Sequence, residues 1–140
     1  MNVEKQILDL DRKTKLSTLW IFVMLNIIFR DIHQLFKYGF LEEMMTGTVN
    51  GVRITEEFML LAGILLEISI AMVLLSRVLK YKVNRLANII VGVLTIIFII
   101  ANGVTDLDDI FFITIQIGTL LVIIWYAWKW PKHASRSAPQ

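Results

Sequence analysis

Residues 58–79 read FMLLAGILLEISIAMVLLSRVL, an apolar run interrupted only by Glu67 and, near its end, by Arg77. A helix rises about 1.5 Å per residue, so a run of this length crosses a hydrocarbon core of about 30 Å. Three further stretches have the same character. One precedes it, Leu16 to Phe36 (LSTLWIFVMLNIIFRDIHQLF), and two follow, Leu86 to Asn102 and Leu107 to Trp128. The fold class expected is all-α, an integral membrane four-helix bundle with a segment at 1–15 before it and a tail at 131–140 after it.

The totals agree. The chain has 140 residues and is 56% hydrophobic, with a mean hydropathy of +0.67, above the composition of a soluble domain. There is no cysteine, which excludes disulfides, iron–sulfur clusters, thiolate zinc sites and thiol redox chemistry. The net charge of +2 gives no reason to expect a nucleic-acid partner. The first apolar run is too long for a signal-peptide core, so it reads as a retained anchor.

Charge placement sets an expected orientation. Lys5, Arg12, Lys13 and Lys15 precede the first span. Arg77, Lys80, Lys82 and Arg85 surround the turn after the second, and Lys129, Lys132 and Arg136 follow the fourth, so eleven of the fourteen basic residues fall on one side. Basic residues in short loops stay cytoplasmic, which puts both termini inside the cell membrane. The other side holds Arg30, Lys37, Arg53 and the acidic trio Asp106, Asp108 and Asp109. Trp125, Tyr126, Trp128 and Trp130, with Trp20 near the same level, are expected to form an interfacial belt. Val3, Ile7 and Leu10 recur at helical spacing, so residues 1–15 either lie on the membrane surface or extend the first helix. Ala134 to Gln140 reads as a disordered end.

The loop at 39–55 is the one connection of any size. Gly39 to Thr46 is expected to form a short interfacial helix with Phe40, Leu41, Met44 and Met45 toward lipid. Thr48 to Arg53 reads as a hairpin turning at Asn50-Gly51, and Thr55 as an N-cap followed by Glu56 and Glu57 in the favourable first turn. The loop is either a connector or a lid.

Ionisable groups within spans are costly and need an account. Asn26, Arg30, His33 and Lys37 share one face of the first helix, with Asp31 and Gln34 on a neighbouring stripe. The second helix offers Gly63, Glu67 and Ala71. The third has Asn88, Gly92, Thr95, Ile99 and Asn102, and the fourth Asp109, Phe112, Gln116, Thr119 and Ile123. Counted from the span ends, Arg30 and Glu67 lie at similar depths. Two readings follow. Arg30 pairs with Glu67 or Asp31 and the amides bond across helices, or Asn26, Arg30, Asp31, His33, Glu67, Asn102, Asp109 and Gln116 surround an outward polar pocket with Glu67 at its floor. The inner half is expected to be apolar.

Other chemistry is weakly supported. His33 and His133 stand alone in their segments, whereas a bis-imidazole haem needs two buried histidines. The three aspartates could take a hard cation, but capping by Thr105 or Asp106 explains them too. No nucleophile triad, phosphate loop or metal-binding histidine pair is visible, and neither cofactor nor metal is expected. The cluster from Arg77 to Arg85 serves topology or attracts anionic lipid.

Lys15-Leu-Ser-Thr-Leu-Trp-Ile21, Glu67-Ile-Ser-Ile-Ala-Met-Val-Leu-Leu-Ser-Arg77, Asn84-Arg-Leu-Ala-Asn88 and Trp125-Tyr-Ala-Trp-Lys-Trp130 open or close the spans. On these segments the chain resembles an uncharacterised family of small prokaryotic four-helix membrane proteins, loosely similar to the DoxX-like group. Ser69 stands where the resemblance implies a proline, and Gln116 where it implies an acid. It implies the fold and a membrane location.

Three functions are expected to compete. The first is a non-enzymatic multi-pass protein binding a small or lipophilic ligand, or a membrane partner, in the pocket. The second is proton or ion translocation through Glu67 and Asp31, with Asn88, Thr95, Ser69 and Ser76 as polar steps. The third, implied only by the DoxX-like resemblance, is a subunit of a quinone- or lipid-linked enzyme. Lipid is the one partner the spans require. No GxxxG pattern marks a dimer face, which leaves a single bundle and a homo-oligomer both open.

Overall fold

The structure, a computed structural model, describes residues 3–49, 51–103 and 106–131. Expectations about Asn50, Thr105, Lys132, His133, Arg136 and the 134–140 end lie outside the described residues. Four long helices are present: α1 (Val3–Leu35), α3 (Glu56–Val78), α4 (Tyr81–Ala101) and α5 (Leu107–Trp128). A short helix α2 (Phe40–Met45) and a ribbon of β1 (Thr48–Val49) and β2 (Val52–Arg53) lie between α1 and α3. All four long helices have the length and apolar content to cross a membrane. The chain is therefore an all-α bundle of the multi-pass membrane type.

Short connections make sequential helices antiparallel neighbours. The packing order runs around a ring, α1 on α3, α3 on α4, α4 on α5 and α5 back on α1, with the two diagonals apart. One end of the ring carries the α3–α4 turn and the C-terminal end of α5, and is called the basic end here. The ribbon and the α4–α5 turn mark the opposite, hairpin end. Leu60, Leu74, Leu86, Ile97, Phe111 and Leu121 are exposed on the circumference, where lipid is as apolar as they are.

Local chemistry explains the element boundaries. Of the two alternatives for residues 1–15, the helical extension is seen, since α1 is continuous from Val3. Arg12 binds that extension to α5, its guanidinium 4.9 Å from the Tyr126 ring centroid. α4 starts five residues before the apolar run because Asn84 is fully buried and the Tyr81 hydroxyl donates to the Trp130 carbonyl at 2.9 Å. At α3 the Thr55 hydroxyl accepts from the Phe58 N–H at 3.2 Å, an N-cap. In the ribbon, Thr48 pairs with Arg53 and Val49 with Val52, and Gly51 adopts the left-handed φ of 75° that such a turn needs. Gly92 lets α4 approach α5 closely, since a Cβ there would meet Ile124 Cγ1 at 2.9 Å.

The basic half departs from expectation. It holds most of the apolar core, with Leu16, Trp20, Val23, Met72, Leu120 and Ile123 all buried, but it also encloses a polar knot. Trp20 Nε1 donates to Asn88 Oδ1 at 2.7 Å, spanning the α1–α4 diagonal. Ser76 donates to the same oxygen at 3.2 Å, Asn88 Nδ2 to Asn84 Oδ1 at 2.7 Å, and Asn84 Nδ2 to the Ser76 carbonyl at 2.6 Å. Nearby, Ser17 donates to the Val73 carbonyl at 2.7 Å. Trp20 thus leaves the aromatic belt. Its indole fills the ring interior because the N–H finds a partner there. Trp130 is also buried, whereas Trp125 and Trp128 are exposed as a belt requires.

Candidate functional site

Trp20 and Asn88 close the diagonal in the basic half. In the hairpin half a cavity of about 700 Å³ opens between the helices. α1 lines it from Ile27 to Leu35, α3 from Phe58 to Ser69, α4 from Val91 to Asn102, and α5 through Asp109 and Gln116. Phe40, Met44, Val49, Val52 and Ile54 of the α2–ribbon loop line its end. The loop is therefore a roof as well as a connector. Phe40 and Met44 line the cavity, Met44 while still exposed, and Leu41 and Met45 are exposed away from it. This divides the four residues expected to face lipid, because positions four apart share one face of a short helix. The α3–α4 seam is bordered by Met59 and Leu94, both exposed and both lining the cavity.

The charged wall of the site is built from α1 and α5. Arg30 Nε donates to Asp109 Oδ1 at 2.8 Å, with the arginine only 9% exposed and the aspartate fully buried. Gln34 Nε2 donates to the same oxygen at 3.1 Å. Arg30 Nη2 reaches the Gly103 carbonyl at 3.4 Å, where a φ of 75° lets the α4–α5 connection turn that carbonyl inward. One step toward the hairpin end, His33 Nε2 lies 3.6 Å from Asp108 Oδ2, and its ring packs at 6.1 Å from that of Phe112. Beyond it, Lys37 bonds Asp106. That hydrogen bond holds the Lys37 ammonium above its ordinary value of 10.5. The three aspartates after α4 thus each lie beside a basic residue of α1 or of the turn that follows it. This accounts for the trio without a cation, and among the described residues no group of metal-ligating side chains assembles.

The candidate residues divide by position. Arg30, Asp31, Asn102, Asp109 and Gln116 line the cavity. Asn26 does not, and its amide donates to its own helix at the Phe22 carbonyl, 2.8 Å away. His33 lies beside Asp108, above the cavity. Glu67 is exposed on the circumference of the bundle, so it neither pairs with Arg30 nor floors the pocket. Helical geometry explains the correction. The inward stripe of α3 is Ser69, Met72 and Ser76, and Glu67, two residues from Ser69, is rotated about 200° away. Arg30 takes the acid on the helix it faces in place of the acid at its depth. Asn102 lines the rim, with its amide donating to the Phe98 carbonyl at 2.9 Å.

Gln116 is the floor. It is fully buried, about 14 Å inward from Leu107 by the helical rise, and neither its amide nitrogen nor its carbonyl oxygen has a hydrogen-bond partner. Its polar neighbours are committed. Thr95 donates to the Val91 carbonyl at 2.8 Å and meets Ser69 at 3.2 Å, while Ser69 also reaches the Leu65 carbonyl at 3.2 Å. Gln34, Ser69 and Thr95 join the site unannounced as candidates. Gln34 had a readable signal, since it lies one turn beyond Arg30 on α1.

No curated protein and no solved structure matches the chain. A family model does, over residues 5–137, and so includes all four long helices but for the first two residues of α1, together with the roof and every lining residue of the cavity. The chain belongs to DUF6326, a family of unknown function.

Proposed function

We propose that this is a non-enzymatic protein of the cell membrane that binds a small lipophilic ligand in the hairpin-end cavity. The basic end lies in the cytoplasm, and the cavity opens outward and through the α3–α4 seam. The observation that carries the reading is the fully buried Gln116 side chain, unpartnered at the floor of a cavity otherwise walled mainly by aliphatic and aromatic groups. Binding sites for small molecules have this make-up: several hundred Å³, a mostly apolar lining and a few placed polar groups. Ion translocation is the weaker reading, because of its two carboxylates Glu67 is exposed on the circumference and only Asp31 lines the cavity. With the three aspartates each beside a base and no nucleophile set within the cavity, binding suits the lining better than bond-making.

A photoreactive dodecyl diazirine offered to the protein in nanodiscs tests the reading. Label should concentrate on peptides carrying Leu66, Leu94 and Gln116, and Ala62→Phe, which fills the cavity from α3, should remove it. Label spread evenly around the circumference would sink the proposal. Because the chain has no cysteine, single cysteines at Thr46 and Lys82 report orientation in whole cells. An impermeant maleimide should reach the first and not the second.

A further inference from the structure

We infer that the cavity selects an uncharged lipophilic molecule whose head offers a hydrogen-bond donor and acceptor side by side, such as a primary amide, a hydroxyketone or an undissociated carboxylic acid. The inference rests on the cavity being a ligand site and adds which chemistry the floor admits.

A glutamine amide presents two N–H donors and one carbonyl acceptor. In Gln116 all of these are uncommitted and out of contact with solvent. Leaving such groups unmet costs about 1–3 kcal/mol each, so the occupant that recovers most is one that answers both at once. A carbonyl alone would satisfy the N–H and leave the glutamine oxygen bare. A bare hydrocarbon would satisfy neither. A head that donates to the oxygen while accepting from the nitrogen closes a paired contact with the amide plane.

Charge is excluded by what stands around the floor. The one guanidinium of the cavity, Arg30, is already matched by Asp109 at 2.8 Å and by the Gly103 carbonyl. It has no unneutralised charge to offer an anion, and Asp31 on the same wall opposes one. A cation finds Asp31 nearer the hairpin end, but one carried to the depth of Gln116 would lie among Leu65, Leu66 and Val91, where desolvating an unpaired charge is prohibitive. The rest of the ligand must be apolar, because Phe58, Met59, Leu94 and Phe98 line its course from the floor to the seam.

The test is competition against the diazirine label with probes that share one tail. Dodecanamide should displace the label at concentrations at least ten-fold lower than dodecane. Dodecanesulfonate and dodecyltrimethylammonium, permanently charged, should do no better than dodecane. Gln116→Met, close in volume and apolar, should still bind dodecane, which reports an intact cavity, and should lose the amide's advantage. Equal potency of dodecanamide and dodecane in the unmodified protein would overturn the inference, as would an amide advantage that survives in Gln116→Met or a charged probe matching dodecanamide. Absence of cavity labelling by the diazirine itself refutes the binding site, whereas labelling that ignores the head group refutes only its selectivity.

Discussion

Arg30 and Asp109 are the strongest handle on the bundle, and a double-mutant cycle across them has a predictable shape. At 2.8 Å and an effective dielectric of about 20, their attraction is about 6 kcal/mol, most of it offset by the cost of removing both charges from water. The net value of the pair is therefore small, but breaking it is not. Arg30→Met leaves Asp109, fully buried, without its cation. Asp109→Leu leaves the guanidinium without the carboxylate it donates to. Each single change should destabilise by about 3–5 kcal/mol, the usual consequence of stranding a buried charge. The double variant should recover most of that loss, because an apolar pair of similar volume suits this environment. Reversible unfolding in mixed micelles, monitored by the tryptophans of the basic half, gives all four corners. Single variants that cost less than about 1 kcal/mol, or a double variant that sums the two losses, would refute the pairing. An Arg30→Met loss recovered by Glu67→Leu in place of Asp109→Leu would show that the arginine faces α3.

Three further outcomes follow from the same geometry. Glu67→Leu should leave diazirine labelling of the cavity unchanged and raise membrane insertion by about 3 kcal/mol on a translocon scale, since an acid near the span centre is replaced by an apolar side chain; loss of labelling would place the carboxylate in the site. Gly92→Leu should destabilise the α4–α5 contact by about 1–3 kcal/mol through overpacking against Ile124, and Ile124→Ala should restore much of it in thermal unfolding. Lys37, raised by its bond to Asp106, stabilises the fold fully below 10.5, its ordinary value, and loses that contribution as pH rises through the folded value. A melting-temperature profile should therefore fall on the alkaline side, and Lys37→Met should remove that step.

The four spans were legible because hydropathy and length are properties of each segment alone, and the bilayer demands both. The α4 stripe was legible for a related reason: Asn88, Gly92, Thr95 and Ile99 repeat with the helix and are all buried. On α5 the same logic places Asp109, Gln116 and Ile123 inside, although Ile113 and Leu120 replace Phe112 and Thr119 as their companions. What the periods leave undetermined is which stripe meets which. Gly63, Glu67 and Ala71 repeat as regularly as Ser69, Met72 and Ser76, but only the second set is buried, and Glu67 is exposed. Once α1 lies between α3 and α5, Arg30, His33 and Lys37 line up against Asp109, Asp108 and Asp106, two stripes each visible in the sequence and related only by the ring order.

The polar knot in the basic half sharpens the argument for the cavity in the other. Trp20, Asn84, Asn88 and Ser76 close their hydrogen bonds within the buried knot, although the Trp130 indole N–H, buried at the same end, has no partner. Gln116, equally buried, is denied that closure in the same fold. A buried amide and its partners are costly to assemble and costlier to leave half made, so two opposite solutions in one small bundle call for two causes. In the basic half the polar groups hold α1, α3 and α4 in register across the diagonal. In the hairpin half the diagonal is open, the ion pairs with α5 fix its α1 side, the hairpin roofs it, and the uncommitted amide at the floor is the feature that a bound molecule would complete.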